Sequence, residues 1–482
     1  MNYGRVNMEE RVIQAKGATN ATMFNYGFGA IGVGIKNNLL GVWLLLYYNQ
    51  VLGLDAILVS AAMALALVVD AVSDPFVGIL SDRFRSKWGR RHPFMYLAVI
   101  PFALSFYLIL QDPRPLTDGD LFIRLLVLMM VMRLSMTFYE VPRAALAPEL
   151  TKDYDQRNTI SAWSMGLGWF GGAGISFIHQ FYFLKESFLN AEGYQLLAFW
   201  GGLGIFISTA YTCIATHKHI PDLHQPPARS FNPRIFLREA RQTLANKSWL
   251  VLFFSGCIYA MLVGIDTGAL TYYNQFFWEW QPQQVAIWSL TSAIAVIICA
   301  VFAPVIASGR SKRNIAVSLF LTTIMIGPLP IFLRLIDPYF DVQLFPNNGT
   351  DALWWILGIH AALVSSLGAL GFIFIGSMSM EIVEDVERDT GRREEGLLGT
   401  VNSFVQKLVG AGGVLIAGAI VAIAGFDDPN VSNEVAANKF ALIHVIVGFI
   451  LPIFSTLLVL MYKIDRNDHL QNVSDLGYVE KD

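Results

Sequence analysis

The chain has 482 residues, 54% of them hydrophobic and only 15% charged, with a mean hydropathy of +0.49. A soluble domain carries about 25% charged residues, so this composition excludes a soluble globular protein, and no nucleic-acid partner is expected. The net charge of −3 averages over two faces of a membrane and carries no further information.

The N-terminal stretch MNYGRVNMEERVIQAKG is polar and lacks the apolar core and small-residue cleavage site of a signal peptide. The first apolar segment is therefore expected to direct insertion. Segments near the ~20 residues that cross a bilayer as a helix follow at 23–48, 56–81, 93–111, 121–147, 160–183 and 194–216, and then at 249–277, 283–308, 314–336, 352–380, 398–424 and 438–462. The expected fold is an all-α membrane protein with twelve spans. An even count puts both termini on one side. Lys and Arg crowd into the N-terminus, the second-to-third loop, the 217–248 connection, Arg310–Arg313, Arg388–Arg393 and the C-terminus. The positive-inside rule makes that side cytoplasmic, in a bacterial inner membrane.

The 217–248 connection is polar and contains Pro221, Pro226, Pro227 and Pro233. It divides the chain into a six-helix half over 1–216, a linker, and a second half with a cytoplasmic tail over 249–482. Its latter part, 233–247, fits an amphipathic helix on the inner face. Basic turns, SDRFRSKWGRR and SGRSKRN, follow the second helix of each half, as a duplicated six-helix unit would show. Cys213, Cys257 and Cys299 lie in apolar segments without paired spacing and read as buried free thiols.

Charge inside a bilayer costs about 2.5–3.5 kcal/mol on insertion scales, so the residues that carry it are informative. They are Lys36, Asp70, Asp74, Arg133, Glu140, Arg143, Asp266 and Lys407. Asp70 and Asp74 are four apart, on one face of a helix. Two stacked carboxylates repel, so one is protonated, a cation lies between them, or each pairs with a basic residue on another helix. Ser73 offers a further oxygen to a hard ion such as Na⁺. Arg133, Glu140 and Arg143 share the fourth segment, as an internal ion-pair string or as a cavity wall at the irregularity Pro142 creates. Lys407 calls for a carboxylate partner, and Gly410, Gly412 and Gly413 after it permit close helix approach. Asp266 reads either as a substrate contact or as a local hydrogen-bonding residue. His179, His360 and His444 are scattered singly without metal-ligand spacing, so no enzyme is expected.

The stretch DAVSDPFVGILSDRFRSKWGRRHPF resembles the signature of the glycoside–pentoside–hexuronide:cation symporters, the melibiose permease family of the major facilitator superfamily. YGFGAIG…LLLYYNQVLGL, TFYEVPRAALAPEL and GRREEGLLGTVNSFVQKLVGAGG resemble its first, fourth and tenth-to-eleventh helical regions. The resemblance implies a cation site at Asp70, Asp74 and Thr137, with Ser73 where a family member has Asn. It implies that Lys407 and Glu140 link cation and substrate. The family's sugar contacts fit less well: its first-helix Asp is Gly34 here, a fourth-helix Trp is Ala144, and a fifth-helix Arg falls on Ser164.

The expected function is Na⁺- or H⁺-coupled symport of a small organic solute by alternating access, in a monomer that needs no cofactor. The solute is a sugar, glycoside or hexuronide; the alternative is a lysolipid or other amphipathic anion, which an animal relative carries with sodium. Lys36, Asn37, Glu140, Arg143, Trp163 and Lys407 are the candidate substrate residues. Asp82, Arg83, Arg90 and Arg91, facing Glu381, Glu384, Asp385 and Arg392, are expected to form a cytoplasmic charge lock or to serve topology alone.

Overall fold

The computed structural model describes residues 19–151, 154–220, 244–307, 310–341, 343–390 and 395–463. Among them the chain forms helices and turns, with no strand. In chain order the helical runs are α1 (Asn20–Val51), α2 (Ala56–Arg83), α3 (His92–Ile109), α4 (Asp118–Leu150), α5 (Tyr154–Ile178) and α6 (Ala191–His217). After the 217–248 connection come α7 (Lys247–Phe277), α8 (Pro282–Ala307), α9 (Lys312–Tyr339), α10 (Asp351–Thr390), α11 (Glu395–Ala424) and α12 (Asn433–Leu460). Eleven of the runs are long and apolar enough to cross a membrane; α5 is not among them. The predicted amphipathic helix at 233–247 falls mostly outside the described residues.

Helix starts are set by side chains that accept an otherwise orphaned amide. Asp55 accepts from Ile57 at α2, Thr117 from Asp120 at α4, Asn246 from Trp249 at α7 and Ser432 from Val435 at α12. Pro75 lies inside α2 directly after Asp74, and α4 runs on through Pro142. Each proline lacks the N–H that would bond the carbonyl four residues back, leaving the Ala71 and Phe138 oxygens without that partner.

Apolar side chains gain little by leaving lipid for protein, so small residues set how closely these helices pack. On the α1–α5 seam, a Cβ at Gly34 would collide with the Gly168 carbonyl, and one at Gly171 with Ile31. The α7–α11 seam repeats this device with Gly264 against Gly410 and Gly413, while Gly412 faces open space. On the α2–α11 seam, a Cβ at Gly418 would collide with Ser60, and one at Gly410 would lie 3.8 Å from Leu67.

The buried side chains show how the helices before and after the connection meet. One core runs through both sets where α1 ends, joining Trp43, Leu45 and Tyr47 to Tyr272, Phe276 and Val414. Where α2 ends, near Arg83, there are two separate cores. One holds Tyr26, Met95 and Tyr139, and the other Trp249, Met378 and Tyr462. The bundle is thus fused at its Asn49 end and divided at its Arg83 end.

Candidate functional site

At the level where the shared core gives way to two, α2, α4 and α11 bring their charges together. The four-residue spacing points both Asp70 and Asp74 away from the exposed apolar stripe of Val68, Val72, Phe76 and Ile79. Asp70 is 1% exposed and Asp74 27%. From α4, the Thr137 hydroxyl lies 3.0 Å from Asp70 Oδ1 and 3.0 Å from Asp74 Oδ1. It has one hydrogen, so it donates to one carboxylate at a time. The Ser73 hydroxyl is 3.1 Å from Thr137 Oγ1 and donates to the Asp70 carbonyl at 3.2 Å.

From α11, across the seam, the Lys407 ammonium reaches both carboxylates, 3.0 Å from Asp70 Oδ2 and in direct contact with Asp74 Oδ2. The partner Lys407 requires is therefore the acidic pair itself, and the link joins helices from the two sets. Arg133 Nη1 stands 3.4 Å from Asp70 Oδ2. Sequence reasoning left Arg133 either in an ion-pair string on its own helix or in a cavity wall; the structure pairs it with Asp70 of α2. Four oxygen-bearing side chains (Asp70, Ser73, Asp74 and Thr137) therefore surround one point, and that point is faced by an ammonium group. Hard monovalent cations bind such an oxygen set by analogy with other hard ions.

The expected substrate residues are more dispersed. Lys36 is buried and donates to Met136 Sδ, within electrostatic reach of Glu140, Arg133, Asp70 and Lys407. Arg143 is buried too. It bonds the Tyr26 carbonyl at 3.2 Å and the Ser164 hydroxyl, with its guanidinium 4.5 Å from the Tyr26 ring centre. It thus ties α4 to α1 and α5. Trp163 packs edge-on against Phe24 at 5.3 Å and keeps 40% of its surface exposed. Asn37 is exposed and Glu140 half-buried. No hydrogen bond joins these side chains to one another among the described residues. Lys36 and Arg143 are committed to protein partners and Lys407 to the acidic pair, which leaves Asn37, Glu140 and Trp163 as the accessible members. Gly34 is part of a helix seam here, so the position where the resembling family carries Asp has no room for a side chain. Asp266 pairs with His444 Nε2 at 2.9 Å.

The loop charges also find neighbours that sequence reasoning missed. Arg90 and Arg91 meet Glu149 at 2.6 and 3.3 Å, and Arg91 meets Asp82 at 2.5 Å. Glu381 pairs with Lys312 at 2.6 Å and accepts from the Tyr462 hydroxyl at 3.1 Å. Asp385 pairs with Arg388 and accepts from Asn246. Among the described residues, these ion pairs join residues on the same side of the 217–248 connection. Arg83 is exposed. Arg392 and the side chain of Glu384 lie outside the described residues.

A further polar link across the sets lies at the opposite end. Asn49 donates to Asp427 Oδ1 at 2.5 Å and to the Leu54 carbonyl at 3.0 Å, and it accepts from the Tyr272 hydroxyl at 2.7 Å. The Gly268 amide, at a left-handed φ of 76°, donates to the Gly41 carbonyl at 2.9 Å. A signal for this knot was available: Tyr-Tyr-Asn-Gln occurs at 47–50 and again at 272–275. Both copies fall where α1 and α7 widen into π turns, Tyr47–Val51 and Tyr273–Phe277.

An all-helical membrane bundle of this form has the fold of the MFS transporters. The nucleoside transporter NupG superposes with a TM-score of 0.59 at 15% identity, over 92% of this chain and 100% of that one. The chain belongs to the MFS/sugar transport protein family, whose model it matches over residues 25–466. It is 35% identical to the uncharacterized symporter sll1374 of Synechocystis sp., over 39% of this chain and 34% of that protein. It is 24% identical to the isoprimeverose transporter of Lactiplantibacillus pentosus, over 92% of this chain and 88% of the other. It is also 24% identical to the putative glycoside/cation symporter YagG of Escherichia coli, over 82% and 80%. These are glycoside–pentoside–hexuronide:cation symporters, transporters and not enzymes. This chain is accordingly an integral membrane symporter of a small molecule.

Proposed function

We propose that the chain couples inward movement of one Na⁺ or H⁺ to import of a small sugar, glycoside or hexuronide. It does so by alternating access between six-helix halves at 1–216 and 249–482, joined by a cytoplasmic linker. In this reading α5 is the twelfth span and the protein acts as a monomer in a bacterial inner membrane. Both termini are cytoplasmic, so the divided Arg83 end opens inward, and no cofactor takes part.

The observation that carries the reading is the Lys407 ammonium bridging Asp70 and Asp74 from the opposite helix set. A cation entering between the carboxylates takes the place of that ammonium. The α2–α11 link is then exchanged for an ion within the first half, and Lys407 is released towards Glu140 and the substrate. Ion and substrate thus act on one element, and each raises the other's affinity by the same factor. The sugar class is favoured by what the relatives named above carry. In this reading Glu140, Asn37, Trp163 and, once released, Lys407 receive the solute.

Counterflow of labelled sugars and uronides in proteoliposomes, with and without Na⁺ and at two pH values, tests the reading. Asp74→Asn should fold, melt near the wild type and lose all cation stimulation. Cation-stimulated uptake by that variant would refute the site, and stimulation by a lysolipid alone would reassign the solute.

A further inference from the structure

Arg133 lies one helical turn before Thr137 on α4, so both side chains project towards α2. Its side chain is 13% exposed and its polar partner is Asp70, itself 1% exposed. Arg133 Nε is buried without a hydrogen-bond partner among the described residues. Completing a hydrogen-bond network therefore does not explain this costly placement; neutralising a buried carboxylate does. A guanidinium keeps its proton in a protein, so the charge it brings is permanent.

The charges in contact then have a definite sum. Asp70 and Asp74 bring two negatives, and Arg133 and Lys407 bring two positives. With Arg133 fixed, the carboxylates retain one negative charge, which either Lys407 or one monovalent ion neutralises, but not both.

We propose that Arg133 is a built-in counter-charge for Asp70 that limits this site to one exchangeable monovalent cation and makes that cation compete with Lys407. The inference rests on the proposed cation site and concerns a residue that site does not require. With Arg133 neutralised, the carboxylates carry two negative charges. Na⁺ then enters while Lys407 stays, so the ion binds more tightly and no longer releases the lysine.

The test is Na⁺ titration of the thermal unfolding midpoint of the purified full-length protein, with ionic strength held by N-methylglucamine chloride. The wild type should saturate with a Hill coefficient of one. Arg133→Gln should lower the half-saturating Na⁺ concentration about tenfold, the lower range of coupling between close charges. Arg133→Lys should stay near the wild type. Lys407→Gln should tighten Na⁺ binding in the wild-type background and leave it unchanged in the Arg133→Gln background.

A purely structural arginine would shift the midpoint without Na⁺ and leave the half-saturating concentration alone. Agreement of Arg133→Gln with the wild type within twofold would therefore overturn the inference while leaving the cation site standing. A wild type indifferent to Na⁺ would overturn the sodium site and this inference with it. Should Arg133→Gln fail to fold, the single and double titrations with Arg133→Lys and Lys407→Gln decide. If Arg133→Lys departs from the wild type by tenfold, or Lys407→Gln leaves Na⁺ binding unchanged, the proposal is refuted.

Discussion

Removing the Asn49 side chain should open the Asn49 end of the bundle. Asn49→Ala deletes two hydrogen bonds that cross between the helix sets, to Asp427 and from Tyr272. A bond to a charged acceptor contributes ~1.5–3 kcal/mol and a neutral one ~0.5–1.5. The other two bonds, to Leu54 and from Gln50, stay within the first set and do not count towards opening. The buried Tyr272 hydroxyl is left without Asn49 and adds a desolvation cost. The crossing terms sum to roughly 3 kcal/mol, which at 1.4 kcal/mol per tenfold is about a hundredfold in the open-to-closed ratio.

A cysteine replacing Leu45 reports that ratio. Leu45 is 1% exposed, and its side chain lies against Gly268 in the joint core. With Cys213, Cys257 and Cys299 changed to Ser, labelling of this cysteine by a membrane-impermeant maleimide should accelerate about a hundredfold in Asn49→Ala. Asp427→Ala should have a smaller effect, and the double variant should fall short of the sum, because the residues share a bond. Equal labelling rates in Asn49→Ala and its parent would show that the knot does not hold this end closed.

Two further outcomes follow from the same geometry. Gly34→Ala should destabilise the protein by about 1–3 kcal/mol through overpacking against the Gly168 carbonyl. Gly166→Ala, where a Cβ meets nothing within 4 Å, should be neutral or slightly stabilising, and thermal unfolding of the two variants checks the contrast. The closed Asn49 end should also depend on pH. Burial holds the Asp427 carboxyl above its ordinary value of 3.8; the Asn49 hydrogen bond opposes this and the Asp55 carboxylate reinforces it. A group whose value is raised in the closed state binds its proton more tightly there. Closure is therefore strengthened as pH falls through the raised value, with the full effect below 3.8, and is lost as pH rises. The Leu45→Cys labelling rate, divided by that of a free thiol at the same pH, should rise across that window, and Asp427→Asn should abolish this residual rise.

Much of the fold was legible because a bilayer imposes one rule on every segment. Length and hydropathy located the helices, and α5 falls below that standard because Gly166, Gly168, Gly171, Gly172 and Gly174 replace larger apolar residues. Of these, Gly168, Gly171 and Gly172 serve the α1–α5 seam, a packing function that hydropathy does not register. The buried acidic pair and its lysine were legible for a related reason. Charge in lipid is rare enough to stand out, and Asp70, Asp74 and Lys407 do meet. Arg133 stood out equally, but its partner did not, because a seven-residue spacing to Glu140 offered a neighbour on the same helix. Charge marks a residue as significant; only the tertiary structure selects between a partner on its own helix and one across a seam.

The loop charges and the Asn49 knot show the converse. Arg90 and Arg91 sit among so many basic residues that Glu149, 58 positions on from Arg91, could not be singled out as their partner. At the other end, Asn49, Tyr272 and Asp427 are unremarkable polar residues at helix ends, where polar residues cost nothing. Hence the closed end was invisible to an argument built on cost. What marks it instead is repetition. Tyr-Tyr-Asn-Gln recurs at one place in two helices, each time at a π turn, and a π turn rotates the side chains beyond it by one residue. The duplicated turn places Asn49 of one copy within reach of Tyr272 of the other. A repeat that joins its own two copies ties the helices before the 217–248 connection to those after it, and the proposed alternating access then requires the Asn49 end to come apart.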